Sequence, residues 1–222
     1  MRSEFETELN ELHIRFSEMA MMINEAIKKS MQAFINDDPK LARQVIKDDQ
    51  KINNREVDLE QKSFEMIALQ QPVTSDLRMI VTILKASSDL ERMGDHAAKI
   101  AQTSLQLQNK VPIVDAKNLL AQMATEIETM FSQTIDAYLK EDDKAAIQLA
   151  QRDDNIDKLA EKVDHVCIEH MKNDSQMVED GTSYMLISTY LERMGDYVTN
   201  LCEWIVYLKS GKLSELNAKN HN

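Results

Sequence analysis

One six-residue segment occurs twice in the chain, and this repeat constrains the fold more than any other feature. Leu90–Asp95 reads LERMGD, and Leu191–Asp196 repeats it without a change, 101 residues later. Asp49–Asn53 (DQKIN) also corresponds, although not identically, to Asp153–Asp157 (DDNID), at an offset of 104 residues. Two copies of about 100 residues indicate the duplication of a whole supersecondary unit, because solenoid repeats are shorter and more numerous.

Residues that break helices are few and evenly spread. The 222 residues include 4 Gly and 3 Pro, and helix-favouring residues are abundant. Stop signals paired with capping residues occur at residues 36–39, 71–75, 109–112, 140–143 and 173–175. These five breaks predict six long helices that pack antiparallel across short loops. We therefore predict an all-α fold of two tandem three-helix bundles, residues 1–111 and 112–222, related by internal duplication.

Composition excludes several classes of partner and location. The formal net charge of -12 repels phosphate backbones, so we expect no nucleic-acid partner. Cys167 and Cys202 are too few for a disulfide scaffold, which favours a reducing compartment. No apolar run approaches the roughly 20 residues of a membrane span, and the acidic N-terminus does not resemble a signal peptide. We expect a cytoplasmic protein without direct membrane insertion.

Each copy places two carboxylates in a helical stripe that is otherwise largely apolar. In the third helix, residues spaced three and four apart run from Leu77 to Leu105 and include Glu91 and Asp95. The second copy has Glu192 and Asp196 at the same place. Like charges one turn apart repel, and burial costs several kcal/mol for each ion unless a cation compensates. The pattern therefore predicts a cation-binding site.

The second helix of each copy supplies further acids, which antiparallel packing would bring opposite the first pair. The predicted metal ligands are Asp49, Glu91 and Asp95 in the first copy, and Asp153, Asp157, Glu192 and Asp196 in the second. Oxygen ligands favour Mg²⁺, Mn²⁺ or Ca²⁺ and can hold iron, and Zn²⁺ is a further candidate. Because Asn53 corresponds to Asp157, we predict that the first site binds more weakly.

Two other functions compete with a metal-binding regulator. The acids could make ordinary salt bridges, for example with neighbouring Arg92 and Arg193, in a purely structural helical adaptor. A di-metal carboxylate oxidase would require Glu-x-x-His motifs. No Glu lies three residues before any of the helical histidines, which are His13, His96, His165 and His170. The phosphate-loop and dinucleotide motifs are also absent, so we expect no enzyme.

The duplicated LERMGD, together with Gln71–Arg78 (QPVTSDLR), resembles the PhoU family of bacterial phosphate-transport accessory regulators. The resemblance covers roughly residues 5–210. It implies two three-helix bundles with metal clusters at the seven acidic positions given above. It also implies a non-catalytic negative regulator of phosphate-starvation signalling, whose partners are a phosphate ABC transporter ATPase subunit and a sensor histidine kinase. We also expect a homo-oligomer, most simply a dimer.

Overall fold

The computed structural model describes residues 2–216 and, over that range, contains helices and no strands. The α-helices are α1 Arg2–Ile35, α2 Pro39–Gln70, α3 Thr74–Gln106, α4 Val114–Lys140, α5 Asp143–Ala150, α6 Asp153–Asn173 and α7 Val178–Ser210. A short 3₁₀ turn, Ser175–Met177, precedes α7. None of these helices is long and apolar enough to cross a membrane. The predicted all-α fold, with two three-helix units in tandem, is confirmed.

The starts of α2 and α5 follow from local capping chemistry. Asp38 precedes α2, and its side chain accepts hydrogen bonds from two backbone N–H groups of the first turn. Pro39 opens the same helix at a position where its missing N–H has no intrahelical partner. Asp142 caps α5 by accepting the N–H of Ala145 at 3.0 Å. These caps explain the predicted breaks at residues 36–39 and 140–143.

The fifth predicted helix is interrupted in the structure, so the prediction of one continuous helix there was wrong. A turn at Gln151–Arg152 separates α5 from α6, whereas α2 is continuous through the corresponding part of the first copy. The guanidinium of Arg152 donates hydrogen bonds to Glu126 at 2.7 Å and Gln133 at 2.8 Å, both on α4. These contacts hold the turn against α4, immediately before the candidate ligand Asp153.

The two copies share one hydrophobic core. The third helices of the copies, α3 and α7, pack against each other, and α1 packs against α4. Phe16 on α1 lies against Tyr138 on α4 with ring centroids 4.8 Å apart, and Phe34 meets Tyr184 at 5.5 Å. The connection between the copies spans residues 107–113. The division into residues 1–111 and 112–222 stays a prediction.

The core-facing residues of α3 are rotated from the predicted stripe. The helix buries Ile80, Ile83, Leu90, Met93, Ala97 and Ile100. Glu91 and Asp95 lie half-buried at the edge of that surface, and Leu77 is exposed. Because α3 packs against α1, α2 and α7, apolar residues cover much of its circumference and do not define one stripe. The carboxylates consequently bear a smaller desolvation cost than a core position would impose.

Candidate metal sites

Four carboxylates of the first copy lie close together between α2 and α3, and we call Asp49, Glu56, Glu91 and Asp95, with Asn53, the first cluster. Burial raises the pKa of Glu91, and the negative charges of the other three carboxylates raise it further. Burial also raises the pKa of Asp49, with a further contribution from Asp95. These interactions agree with the predicted approach of Asp49, Glu91 and Asp95, and they add Glu56.

Two oxygen atoms of the first cluster are enclosed by protein. Asp49 Oδ1 and Asn53 Oδ1 are buried, and neither has a hydrogen-bond partner within residues 2–216. Buried polar atoms are normally satisfied, so each of these oxygens is costly as it stands. Carboxylate and amide oxygens are also the ligands that hard cations prefer. The first cluster therefore offers oxygen atoms of the kind that a hard cation binds.

Lys99 brings one positive charge to the edge of the first cluster. Its Nζ lies 3.7 Å from Asp95 Oδ2, one helical turn earlier on α3. The same charge lowers the pKa of Asp49 on α2, against the effect of burial. About 44% of the Lys99 side chain remains exposed, so solvent screens this interaction.

The second cluster consists of Asp153, Asp157, Glu192 and Asp196. Asp153 is buried, whereas the other three side chains are half-buried. A Cβ built on Gly195 would lie 2.5 Å from Asp153 Oδ1. The absence of a side chain at Gly195 thus lets α6 and α7 approach at a point between Glu192 and Asp196. Asp153 of α6 thus lies directly against the part of α7 that carries Glu192 and Asp196.

The side chains do not yet form a coordination sphere in either copy. Within the part of the chain that the structure describes, no group of three or more Asp, Glu, His or Cys side chains has a geometry that could hold a metal ion. Completing either site would require carboxylates to rotate toward a common point. The predicted ligands Asp49, Glu91, Asp95, Asp153, Asp157, Glu192 and Asp196 therefore stay a prediction.

A family model described as the PhoU domain matches residues 16–104 and, a second time, residues 120–205. The chain belongs to the PhoU family. The two matches fall on the two copies that the repeated LERMGD segments define, and each spans one acidic cluster. The duplication seen in the sequence is thus a duplication of the PhoU domain.

Relatives match this PhoU chain over nearly its whole length. The "Phosphate-specific transport system accessory protein PhoU homolog" of Streptococcus pneumoniae is 36% identical, over 98% of this chain and 100% of the relative. The protein of the same name from Clostridium acetobutylicum is 35% identical, over 97% and 99%.

Solved PhoU structures share the fold. The crystal structure of the phosphate transport system regulatory protein PhoU from Streptococcus pneumoniae superposes with a TM-score of 0.88 at 34% identity, covering 95% of this chain and 99% of that one. PhoU from Pseudomonas aeruginosa gives a TM-score of 0.90 at 27% identity, covering 94% and 100%. The fold assignment therefore rests on sequence and structure together.

An aromatic contact between the two copies of this PhoU chain was not predicted from the sequence. His96, next to Asp95 on α3, stacks between Tyr190 and Tyr197 of α7 with centroid distances of 5.5 and 5.8 Å. Burial lowers the pKa of His96 to about 4, and the charges of Lys99 and Arg193 contribute. His96 is therefore neutral near pH 7. No local sequence signal identifies this stack, because its members come from different copies.

Glu56, a member of the first cluster, and Lys99, at its edge, were also not predicted, although the sequence carried a signal for each. Glu56 lies seven residues after Asp49, two turns along the same face of α2. Lys99 lies four residues after Asp95, a spacing that favours an ion pair within one helix. Extending the three-and-four spacing to every charged residue would have found both.

Proposed function

We propose that this chain is an accessory regulator of phosphate transport, which restrains phosphate uptake and phosphate-starvation signalling through protein contacts and without catalysis. The observation that carries the proposal is the PhoU match on both copies. Relatives named as phosphate-specific transport accessory proteins align with the chain nearly end to end, which supports it. The family relationship does not by itself identify the partners, so these need a direct test.

The proposed partners are the ATPase subunit of a phosphate ABC transporter and a sensor histidine kinase, met in the cytoplasm. Exposed apolar side chains at one end of the bundle support a role in protein contacts, and they include Leu69, Val73 and Leu213. Leu69 and Val73 flank the loop between α2 and α3. Gly211 packs against Arg78 of α3, so the end of α7 lies beside them.

Binding to purified partners tests this proposal. The untagged chain is mixed with the ATPase subunit, and separately with the cytoplasmic part of the kinase, and each mixture is analysed by size-exclusion chromatography. We expect a complex with each partner that persists in 0.5 M NaCl, since salt screens contacts made only through the acidic surface. Separate elution of the chain from both partners at low salt would contradict the proposal.

The first and second clusters are further proposed to bind a divalent cation or iron, which would neutralise their carboxylates and set the charge of the surrounding surface. The enclosed oxygens of Asp49 and Asn53 support a cation in the first copy. The absence of a preformed coordination group within residues 2–216 favours a second candidate, a helical adaptor whose acids serve only as surface charge. Metal content distinguishes the two candidates.

Elemental analysis of untagged protein purified without chelator supplies that measurement. We expect stoichiometric metal in the wild-type chain and less in Glu192→Ala/Asp196→Ala. Glu161→Ala/Glu169→Ala is the matched control, because it removes two acids from α6 outside the cluster. Metal that is absent from the wild-type chain, or unchanged in the cluster variant, would leave the metal-free adaptor.

The chain is also proposed to form a homodimer through apolar side chains that the single chain leaves exposed. With a formal charge of -12, two copies repel each other at low ionic strength. Sedimentation velocity at 50 and 300 mM NaCl should therefore show more dimer at the higher salt concentration. A monomer at both concentrations, with protein at 100 µM, would contradict this part of the proposal.

A further inference from the structure

A groove of about 450 Å³ lies over the outer face of α3, between α2 and α7, and we call it the α3 groove. We propose that the α3 groove binds an amphipathic helix of a partner protein, with the apolar face of that helix in the groove and lysine or arginine side chains on both sides of this face. The inference rests on the proposed role in protein contacts. It adds where a partner binds and the chemistry of the element that binds.

The walls of the α3 groove are built by helical spacing. The α2 wall consists of three side chains spaced four residues apart, which are Glu56, Glu60 and Phe64. Side chains at this spacing form one ridge, here about 12 Å long at 1.5 Å per residue. Glu203 and Trp204 of α7 form the opposite wall, and Leu84 of α3 lies in the floor. Helices pack by placing the ridges of one into the grooves of another, so a groove with helical walls suits a further helix.

Apolar surface inside the α3 groove is open to solvent. Phe64 is 53% exposed, and Leu84 and Trp204 are half-buried. The indole N–H of Trp204 already donates a hydrogen bond to Asp89, so the rest of the ring offers apolar contact. Aromatic side chains, tryptophan above all, supply much of the binding energy of protein interfaces. The groove therefore offers anchoring points for the apolar face of a helix.

Both walls carry carboxylates that a basic partner would stabilise. Glu56 and Glu60 form no ion pair within residues 2–216. Burial raises the pKa of Glu56, and the negative charge of Glu60 raises it further. On the α7 wall, burial raises the pKa of Glu203, although the backbone N–H of Leu216 donates a hydrogen bond to it at 2.9 Å. A lysine or arginine brought to either wall would therefore gain an electrostatic interaction.

The basic side chains of the α3 groove do not balance these carboxylates. Arg92 lies 5.9 Å from the ring centroid of Tyr197, and its charge lowers the pKa of Asp89. Lys85, which is exposed, then stands against the three glutamates of the walls. This excess of negative charge favours a basic partner. It disfavours a second copy of this chain, because that copy also has a formal charge of -12.

The fluorescence of Trp204 reports directly on the α3 groove, because the chain has a single tryptophan. The probe is a designed peptide of about 18 residues without tryptophan, with leucines spaced three and four apart and lysines on both sides of the leucine face. At low salt and with chelator present, we expect this peptide to shift the Trp204 emission to shorter wavelength and to saturate. Two matched peptides replace every leucine with serine or every lysine with glutamate. We expect each to bind at least about tenfold more weakly.

Charge on the α2 wall is tested by Glu56→Gln/Glu60→Gln, which removes two negative charges and keeps the size of both side chains. We expect the lysine peptide to bind this variant about fivefold more weakly, as the loss of two partly exposed charge pairs implies. Glu161→Gln/Glu169→Gln is the matched control, because it removes the same charge from exposed positions on α6. We expect the control to change the affinity less than about twofold.

The apolar contact is tested by Phe64→Ser, which should weaken binding of the lysine peptide about tenfold. Ile14→Ser is the matched control, because Ile14 is 51% exposed and lies on α1 outside the α3 groove. We expect it to leave the affinity within about twofold of the wild-type value. Both positions are exposed, so the variants should fold, and circular dichroism with urea unfolding verifies this before each titration.

The same variants relate the α3 groove to the partners of the proposed function. The chain that combines Glu56→Gln, Glu60→Gln and Phe64→Ser is mixed with the ATPase subunit and, separately, with the cytoplasmic part of the kinase. In size-exclusion chromatography we expect it to lose the complex with at least one of them. We also expect the lysine peptide to displace that partner from the wild-type chain.

The peptide titrations decide whether the groove binds a basic amphipathic helix. Saturable binding that both groove variants weaken, while both control variants retain it, supports the inference. Equal affinity for the wild-type chain and the groove variants overturns it. Equal binding of the serine peptide also overturns it, because only attraction between opposite net charges would remain. Trp204 emission that changes when the chain is diluted without peptide would assign the groove to a second copy and overturn the inference.

The chromatography separates failure of the inference from failure of the proposed function. If the combined groove variant keeps its complexes with both partners, the inference fails and the proposed function stands. If the wild-type chain forms no complex with either partner, the proposed function fails, and the peptide titrations alone decide the inference.

Discussion

Trp204 on α7 donates a hydrogen bond from its indole Nε1 to the buried carboxylate of Asp89 on α3, over 3.3 Å. Asn200 on α7 hydrogen bonds to the same carboxylate. Asp89 is only 7% exposed, so these donors compensate for much of its lost hydration. The contact joins α3 and α7, the third helices of the two copies. It lies beside the interface through which these helices share the hydrophobic core.

Replacing Trp204 should weaken the junction between the copies. Trp204→Phe keeps a ring but removes the indole donor, so the free energy of unfolding should fall by about 1–3 kcal/mol. Urea denaturation followed by circular dichroism measures the change. Tyr207→Phe is the control, because Tyr207 lies edge-on to Trp204 at 5.8 Å and keeps its ring in that variant. Equal stability of Trp204→Phe and the wild-type chain would show that the hydrogen bond contributes nothing.

Asp89 should make the stability of the chain depend on pH. Burial raises the pKa of Asp89 above its ordinary value, although hydrogen bonds from Trp204 and Asn200 oppose the shift. A carboxyl with a raised folded-state pKa stabilises the fold below its unfolded pKa and loses that contribution as the pH rises. Asp89→Asn should therefore gain stability relative to the wild-type chain between pH 3.5 and 7. If the free energy of unfolding changed with pH in the same way in both proteins, Asp89 would not be the source of the pH dependence.

His96 should give a pH dependence of the opposite sign. Its pKa falls from the ordinary 6.5 to about 4, so the folded chain holds it neutral. Below pH 6.5 the unfolded chain binds a proton at His96 that the folded chain does not. The free energy of unfolding is therefore unaffected by His96 above pH 6.5 and falls as the pH decreases toward 4, by at most about 3 kcal/mol. His96→Phe keeps a ring between Tyr190 and Tyr197 and should lose less stability between pH 7 and 4.5. An identical acid-induced loss in both proteins, measured by urea unfolding, would exclude His96 as its source.

Gly195 and Asp153 should be energetically coupled. Alanine normally stabilises a helix interior by about 1 kcal/mol relative to glycine. Here its Cβ would lie 2.5 Å from Asp153 Oδ1, so Gly195→Ala should instead destabilise the chain by about 1–3 kcal/mol. In an Asp153→Ala background the same change should cost at least about 1 kcal/mol less. The double-mutant cycle is measured with chelator present. Additive changes in the free energy of unfolding would contradict the coupling, and would mean that α6 and α7 separate at this contact without cost.

Most of the fold could be predicted because its signals are local and repeated. Capping residues such as Asp38 and Asp142 determine helix starts from within a few residues of each start. The turn at Gln151–Arg152 was missed because its stabilising partners, Glu126 and Gln133, lie on α4. A helix break that depends on another helix leaves no periodic signal of its own.

The candidate sites could be predicted in part for the same reason. The approach of Asp49 to Glu91 and Asp95 follows from antiparallel packing and helical spacing. The burial of Asp153 against Gly195 depends on the distance between α6 and α7, which no residue pattern encodes. The stack of His96 on Tyr190 and Tyr197 depends on how the two copies face each other. Contacts between copies therefore required the structure.

The most direct test of the central claim is the activity of a phosphate-starvation promoter, measured in phosphate-rich medium in cells of the source organism. Deleting the gene for this chain should raise promoter activity, and restoring the wild-type chain or Glu161→Ala/Glu169→Ala should return it to the repressed level. Glu192→Ala/Asp196→Ala should repress less well if the clusters contribute. A promoter that stays repressed after the deletion, with phosphate uptake unchanged, would contradict a role for this chain in phosphate regulation.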